Sequence, residues 1–364
     1  MEGLFDYIFV DEAGQVSLAN VVGMAACASN IVLIGDQMQL EQPIQGTHPG
    51  LSGQSCLEYL LHGQSTVPPN VGIFLQTSWR MHPQICSVVS QAVYDNRLEA
   101  HPDNSRRILR RKAGLPTSSL IPEKEAGLVW VPVSHEGNVQ ASIEEVDVID
   151  QLITDLLQFE IVLLDGRSRP LELEDILVVT PYNMQARLIK NRIAGINVAS
   201  VDKFQGQEAP IVILSMCASE AKSSARGMDF LFSKSRLNVA VSRAQTMAFV
   251  VGSPELLNVS CSSVLQMNLM NFFCQIVENG RCAPDSPDLK DESKPDSESK
   301  PATTDRPAAT RRLAATRRLA ATRQPAATRQ PAATIDLPAP FNSDQICAGS
   351  AMPVRTASKL PAVF

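Results

Sequence analysis

The sequence predicts an α/β protein whose larger part is a doubly wound parallel β-sheet, and three observations carry that expectation. Short, largely apolar runs recur at residues 5–10, 31–34, 73–75, 128–133, 176–180, 198–202, 211–215 and 247–251. Runs of this length without alternation are the pattern of strands buried on both faces. Between them the apolar residues change to helical spacing, as where Ile85, Val88, Val89, Ala92 and Val93 fall on one helix face behind Pro83. Several runs also end in Asp, Gly, Thr or Ser, which puts polar chemistry at strand C-termini, where open α/β sheets carry their sites.

Taken in order, residues 5–10 and 31–34 read as two strands flanking a helical segment that opens at Ser17. Two strands cannot close a doubly wound sheet, so residues 1–60 are expected to be a partial first domain. Residues 72–256 hold the remaining runs and should form a complete second domain. Within it, Ser142-x-x-Glu145 has the form of a capping box opening a helix faced by Val146, Ile149, Leu152, Ile153 and Leu156. Further helices are expected at 183–194 and near 237–244, and residues 257–282 read as a short C-terminal extension. From 283 an Asp/Ser/Lys/Pro-rich linker leads into hexads, with Ala-Ala-Thr beginning at 308, 314, 320, 326 and 332. A six-residue period fits neither helix nor heptad and prolines recur, so 283–364 is expected to be a disordered tail.

Hydrophobic residues make up 44% of the 364 but aromatics only 5%, so aliphatic strands must supply the core. No apolar run approaches the ~20 residues that a membrane-spanning helix needs, and no membrane partner is expected. The eight cysteines form no Cys-x-x-Cys pair and no zinc-ligand spacing, which fits reduced thiols in an intracellular protein, cytoplasmic or nuclear. The net charge of −6 hides an asymmetry: residues 301–364 carry nine Lys/Arg against three Asp/Glu, leaving 23 basic and 35 acidic residues in 1–300. An acidic body excludes nucleic-acid binding through bulk charge, so a local groove would have to do it.

Five motifs carry chemistry. In Val10-Asp11-Glu12-Ala13-Gly14-Gln15, adjacent carboxylates at a strand end suit phosphoryl chemistry: Asp11 can hold Mg²⁺ while Glu12 polarises an attacking water. In Gly35-Asp36-Gln37-Met38-Gln39-Leu40, a glutamine beside those carboxylates can sense a γ-phosphate. In Trp79-Arg80-Met81-His82-Pro83, a guanidinium between strand and helix suits a transition-state charge clamp, with His82 a packed neighbour. The last two are Val201-Asp202-Lys203-Phe204-Gln205-Gly206-Gln207-Glu208 and Arg236-Leu237-Asn238-Val239-Ala240-Val241-Ser242-Arg243-Ala244.

With Thr180-Pro181-Tyr182-Asn183-Met184-Gln185, these motifs stand in the order found in superfamily 1B helicases, and residues 5–256 resemble the Upf1-like branch. The resemblance implies a RecA-like fold of the P-loop NTPase superfamily, with ATP and Mg²⁺ clamped between two RecA-like domains and a single strand of DNA or RNA alongside. It assigns Asp11 to the metal, Glu12 to the base, Gln39 to the γ-phosphate sensor, and Arg80 and Arg243 to the phosphates. Gln205, Gly206 and Glu208 match nucleotide-contacting residues. Thr180, Tyr182 and Asn183 match the loop that lies against the nucleic-acid strand.

Three departures qualify the resemblance. Trp79 stands where Tyr is usual, and Ser235-Arg236 replaces a double arginine. The third is larger: the phosphate loop Gly-x-x-x-x-Gly-Lys-Thr/Ser is missing, since the chain contains no Gly-Lys dipeptide. Two expectations follow. The chain is the C-terminal portion of an ATP-dependent helicase or translocase, with an N-terminal half as its missing partner; or it is a non-catalytic module that binds single strands or a protein. By itself it is expected not to hydrolyse ATP.

Overall fold

The amino-terminal segment folds as strand β1 (Phe5–Val10), helix α1 (Leu18–Ala25), strand β2 (Ala28–Leu33) and helix α2 (Cys56–Leu61). Ser17 and Ser55 cap the two helices by accepting the N–H groups of Asn20 and Glu58. β1 and β2 pair in parallel from Phe5↔Ala28 to Val10↔Leu33, and neither pairs with another strand among the described residues. Val10, Val21, Leu33, Leu57 and Leu61 share a small core. Phe5, Tyr7 and Phe9 remain 60, 51 and 67% exposed. Alternate residues of a strand share a face, so three aromatic rings line one open side of this two-stranded pair.

This is a computed structural model that describes residues 4–281, except 41–45, 47–48, 113, 115–117, 119, 204–205 and 222–223, and the backbone of Ala362–Val363. The linker and hexad tail expected at 283–364 therefore lie outside the described residues, apart from that final pair, which runs parallel to Gly72–Ile73.

The larger part is one sheet of five parallel strands: β3 (Gly127–Pro132), β4 (Ile176–Thr180), β5 (Asn197–Ser200), β6 (Ala209–Ser215) and β7 (Ala244–Gly252). Their order is β5–β4–β6–β7–β3, so the winding reverses between β4 and β6. Consecutive side chains point to opposite faces, and each strand feeds two cores. Leu177, Val179, Val212, Leu214 and Val250 meet helices α3 (Pro83–Val93), α7 (Lys234–Ser242) and α8 (Val264–Gly280) on one face. Ile176, Val178, Ile211, Ile213 and Phe249 meet α4 (Ile143–Leu156) and α5 (Asn183–Arg192) on the other. One turn of helix, α6 (Met228–Leu231), precedes α7. Among the described residues no helix is long and apolar enough to cross a membrane.

Residues 257–281 pack into the fold through α8. Phe272, Phe273, Ile276 and Val277 of α8 are buried in the first of these cores. Gly280 lies so close to β3 that a Cβ there would come within 2.7 Å of the Trp130 nitrogen.

The capping box is half formed. Ser142 Oγ accepts the Glu145 N–H at 3.1 Å, but the Ser142 N–H goes to Gln185 Oε1 at 2.8 Å. The Glu145 carboxylate is instead fully buried, accepting from Ser215 Oγ at 2.6 Å, the Cys217 N–H at 2.9 Å and His135 Nε2 at 3.0 Å. It turns inward because the Ser142 N–H is already taken by Gln185, while three donors lie at the end of β6 and beyond β3. Burial, only partly offset by these partners, pushes its carboxyl above the ordinary range.

Candidate nucleotide cleft and nucleic-acid face

At the end of β1 the chain turns through Asp11 and Glu12, both exposed, with Glu12 in the left-handed region at φ 52°. The Glu12 N–H donates to Asp11 Oδ1 at 2.9 Å. This turn packs backbone to backbone on the loop after β2, where the Ala13 N–H donates to the Ile34 carbonyl at 2.9 Å. A Cβ on Gly14 would come 2.4 Å from the Asp36 carbonyl oxygen, and one on Gly35 2.7 Å from the Ala13 nitrogen. Both motif glycines are thus explained by close approach, and that approach sets Asp11 and Glu12 beside the Asp36–Gln39 loop.

Asp36 is the hub of that loop. Its carboxylate accepts the Met38 N–H at 2.8 Å, Gln39 Nε2 at 3.0 Å and the Tyr94 hydroxyl at 2.5 Å. The Tyr94 oxygen in turn accepts Asn238 Nδ2 at 2.8 Å, and the same Asn238 group donates to the Met38 carbonyl at 3.1 Å. Leu40 finishes the loop by entering the core beside α3 and α7. The predicted sensor Gln39 is therefore tied through Asp36 and Tyr94 to α7, the helix that ends at Arg243. Neither Tyr94 nor Asn238 was singled out from the sequence. A lone Asn within Leu-Asn-Val-Ala-Val was the available signal, since a polar residue in a buried run needs partners.

The two predicted arginines meet. Arg80 is ion-paired through Nε with Glu208, and its Nη1 donates to the Ser242 carbonyl at 3.4 Å. Gln245 Nε2 holds the other Glu208 oxygen at 2.8 Å, and the His82 N–H donates to the Gln245 carbonyl at 2.9 Å. Burial of Glu208 would raise its pKa, but Arg80 overrides this and holds the carboxyl below the ordinary range. Arg243 is buried, and its Nε has no hydrogen-bond partner among the described residues. Burial and the nearby Arg80 charge lower its pKa, while Glu12 and Glu208 act the other way. Arg243 thus lies within electrostatic reach of Glu12, as a desolvated cation with an orphaned donor, and such a group fits a phosphate. Trp79, beside Arg80, is 67% exposed and stacks on His101 at 3.8 Å, a flat platform whose use the sequence did not reveal.

Among the described residues no three His, Cys, Asp or Glu side chains gather as a metal site. Asp11 therefore fits Mg²⁺ only in the manner of nucleotide sites, where phosphates and water supply the remaining ligands. Gly206 is exposed at φ 77°, and Gln205 lies outside the described residues.

The predicted nucleic-acid residues follow β4, at the point where the winding reverses. Thr180 is buried, with Oγ1 3.9 Å from Cys217 Sγ. Tyr182 is also buried, its ring 5.4 Å from that of Phe230. Only Asn183 of the three presents its side chain to solvent. Gln185 of the same motif is buried and staples α4 to β6, donating to the Ser142 carbonyl at 3.1 Å and Ser215 Oγ at 3.0 Å.

The chain is similar in sequence to known proteins. The Arabidopsis thaliana DNA replication ATP-dependent helicase/nuclease JHS1 is 27% identical over 267 residues, 70% of this chain and 19% of the relative. The Rattus norvegicus DNA-binding protein SMUBP-2 is 29% identical over 265 residues, 69% of this chain and 25% of its own. The Schizosaccharomyces pombe ATP-dependent helicase upf1 is 29% identical over 270 residues, 70% and 27% respectively. The chain thus spans about a fifth to a quarter of the length of these relatives. Arterivirus nonstructural protein 10 (helicase) overlays 67% of this chain and 38% of its own at 17% identity with a TM-score of 0.34, too loose a fit to add to the assignment. The family model AAA_12, described as an AAA domain, matches residues 53–255, more than half of the chain. With α3, the five-stranded sheet and both arginines inside that match, the chain belongs to this family, in the Upf1-like branch of the superfamily 1 helicases.

Proposed function

We propose that this chain is the sensor-and-arginine portion of an ATP-dependent nucleic-acid helicase or translocase. The observation that carries the reading is the convergence of Arg80, Glu208 and the orphaned, buried Arg243 within reach of Glu12. MgATP, when bound, supplies the phosphoryl group to be transferred to water. Asp11 would hold the metal, and Glu12 would take the proton of the attacking water. Arg80 and Arg243 would face charge developing on the phosphate oxygens, where such arginines contribute ~10³–10⁵ in rate. Glu208 presets Arg80 and, with Gly206 and Gln205, would border the nucleotide. Gln39 would register the γ-phosphate and pass its loss through Asp36 and Tyr94 to α7. A single strand of DNA or RNA would run over the Thr180–Asn183 loop, meeting its backbone and Asn183.

The 364 residues contain no Gly-Lys dipeptide, so the phosphate loop has to be supplied from outside them. The open Phe5, Tyr7 and Phe9 face of β1 favours an upstream polypeptide half as that supplier. The unaided chain should show no strand-stimulated ATPase. Adding an upstream half that bears the phosphate loop should restore it, and Glu12→Gln should then abolish hydrolysis while sparing nucleotide binding. Turnover of about 1–10³ s⁻¹ by the unaided chain, or none after complementation, would overturn the reading.

A further inference from the structure

We propose that Arg226, Phe230 and Arg236 form a further contact for single-stranded nucleic acid, a phosphate clamp built on a stacking platform beside the Thr180–Asn183 loop. The proposal rests on the reading that a strand passes over that loop. It begins from a clustering that the folded chain does not itself explain. The half-buried ring of Phe230, on the single turn α6, packs on Tyr182 at 5.4 Å. Two guanidiniums lie over the same ring, Arg226 at 4.6 Å and Arg236 at 4.2 Å from its centroid. Like charges gathered on one side chain repel unless anions accompany them. One does: Asp202 pairs with Arg236 at 3.1 Å. Among the described residues Arg226, which is exposed, makes no ion pair.

Orphaned polar atoms point to the same place. Eight buried side-chain polar atoms lack a hydrogen-bond partner among the described residues, and three are Tyr182 Oη, Arg236 Nε and Ser224 Oγ. Two of these belong to the ring cluster, and Ser224 lies two residues before Arg226. Buried polar groups are nearly always satisfied, so this concentration marks a surface that expects polar company.

The chemistry of the cluster selects its ligand. Exposed arginine on an aromatic face offers donors at its edge for a phosphate and a flat surface on which any base can stack. A single strand repeats that pair of groups at every nucleotide, and a folded duplex hides its base faces. The neighbouring surface continues the path. Asn183 is exposed at the start of the ten-residue helix α5, whose cap residue Tyr182 makes no side-chain cap, leaving its first N–H groups available to phosphate. The contact would carry no base preference. It also supplies the local positive patch that an acidic body needs in order to bind a polyanion.

The test is fluorescence anisotropy of the full chain on labelled oligothymidylate and oligouridylate of about 20 nucleotides, across a salt series. Arg226→Ala should weaken binding about fivefold to tenfold and reduce the slope of log K against log salt by about 0.7, one phosphate contact on a single strand. Arg226→Lys should keep the slope and recover only part of the affinity, because an ammonium does not stack. Arg167→Ala, at an exposed ion pair with Asp165 that includes none of the cluster residues, should change neither. Arg226 is exposed, so circular dichroism melting should show these variants folded. If Arg226→Ala binds with unchanged affinity and slope, the site is wrong and the functional reading stands. If the unaltered chain binds no single strand, the functional reading falls and the site with it. If polyglutamate displaces the strand with the same dependence on Arg226, the ligand is an acidic peptide and the nucleic-acid assignment is wrong.

Discussion

Tyr94 donates its hydroxyl proton to Asp36 at 2.5 Å while accepting from Asn238, so one buried phenol joins the loop after β2 to helix α7. Burial, reinforced by the Asp36 charge, pushes the Tyr94 phenol well above its ordinary pKa, so it remains a donor throughout the physiological range. Tyr94→Phe keeps the ring and removes one partner from the half-buried Asp36 carboxylate and one from the buried Asn238 amide. Loss of about 1–3 kcal/mol of stability is expected, read as a lower urea midpoint at unchanged m. A midpoint identical to the parent would mean that water or another side chain replaces the hydroxyl without cost.

The arginine pair makes a kinetic prediction. With the phosphate loop supplied, Arg80→Ala and Arg243→Ala should each lower kcat by about 10³ or more, with a much smaller change in nucleotide Kd. Arg80→Ala has a second consequence, because it removes the main cause that lowers the Glu208 pKa; that carboxyl should titrate at higher pH in the variant, measurable by NMR. Loss of affinity with kcat unchanged would place both residues in ground-state binding only.

Glu145 predicts a pH dependence with a definite sign. Its folded-state pKa is raised by burial, so its contribution to stability is fully present below about pH 4, the unfolded carboxyl value, and is lost as pH rises through the raised value. Parent minus Glu145→Gln stability should therefore decline across that window in urea titrations. Glu145→Ala should cost about 3–5 kcal/mol, since it strands His135, the Ser215 hydroxyl and the Cys217 N–H. A difference that grows with pH would show that the donors around Glu145 outweigh its burial.

What the sequence made legible follows from how each feature is encoded. Strand positions and the apolar faces of α3 and α4 were readable because local periodicity carries them, and the motif residues because they sit at strand ends. The half-made cap at Ser142 was not readable, because the partners that draw Glu145 inward, Ser215 and Cys217, lie 70 and 72 residues away. The same holds for Tyr94 with Asp36 and for Arg80 with Glu208. α8 was underestimated because its buried face, Phe272, Phe273, Ile276 and Val277, is preceded by exposed Val264, Leu265 and Met267, which blur the period. The turns at Gly14 and Gly35 show as glycines in sequence, but only the backbone contact explains them.

The carboxy-terminal composition makes a prediction of its own. Polar linker and Ala-Ala-Thr hexads offer too little apolar area to offset the ~1–2 kcal/mol per residue that ordering a backbone costs. A chain ended after Cys282 should melt within about 2 °C of the full chain. A fall of several degrees would mean that the pairing of Ala362–Val363 with Gly72–Ile73 contributes to the fold.

The unpaired outer side of β1 also governs how the molecule behaves in a tube. A parallel pair whose outer edge is unpaired among the described residues, with rings at Phe5, Tyr7 and Phe9, is a template for adding further strands, whichever chain they come from. Two copies held at high concentration offer each other that edge. Solubility, rather than thermal stability, should therefore set the working limit of the purified chain, and charge placed at Tyr7 should raise that limit without touching either core of the five-stranded sheet.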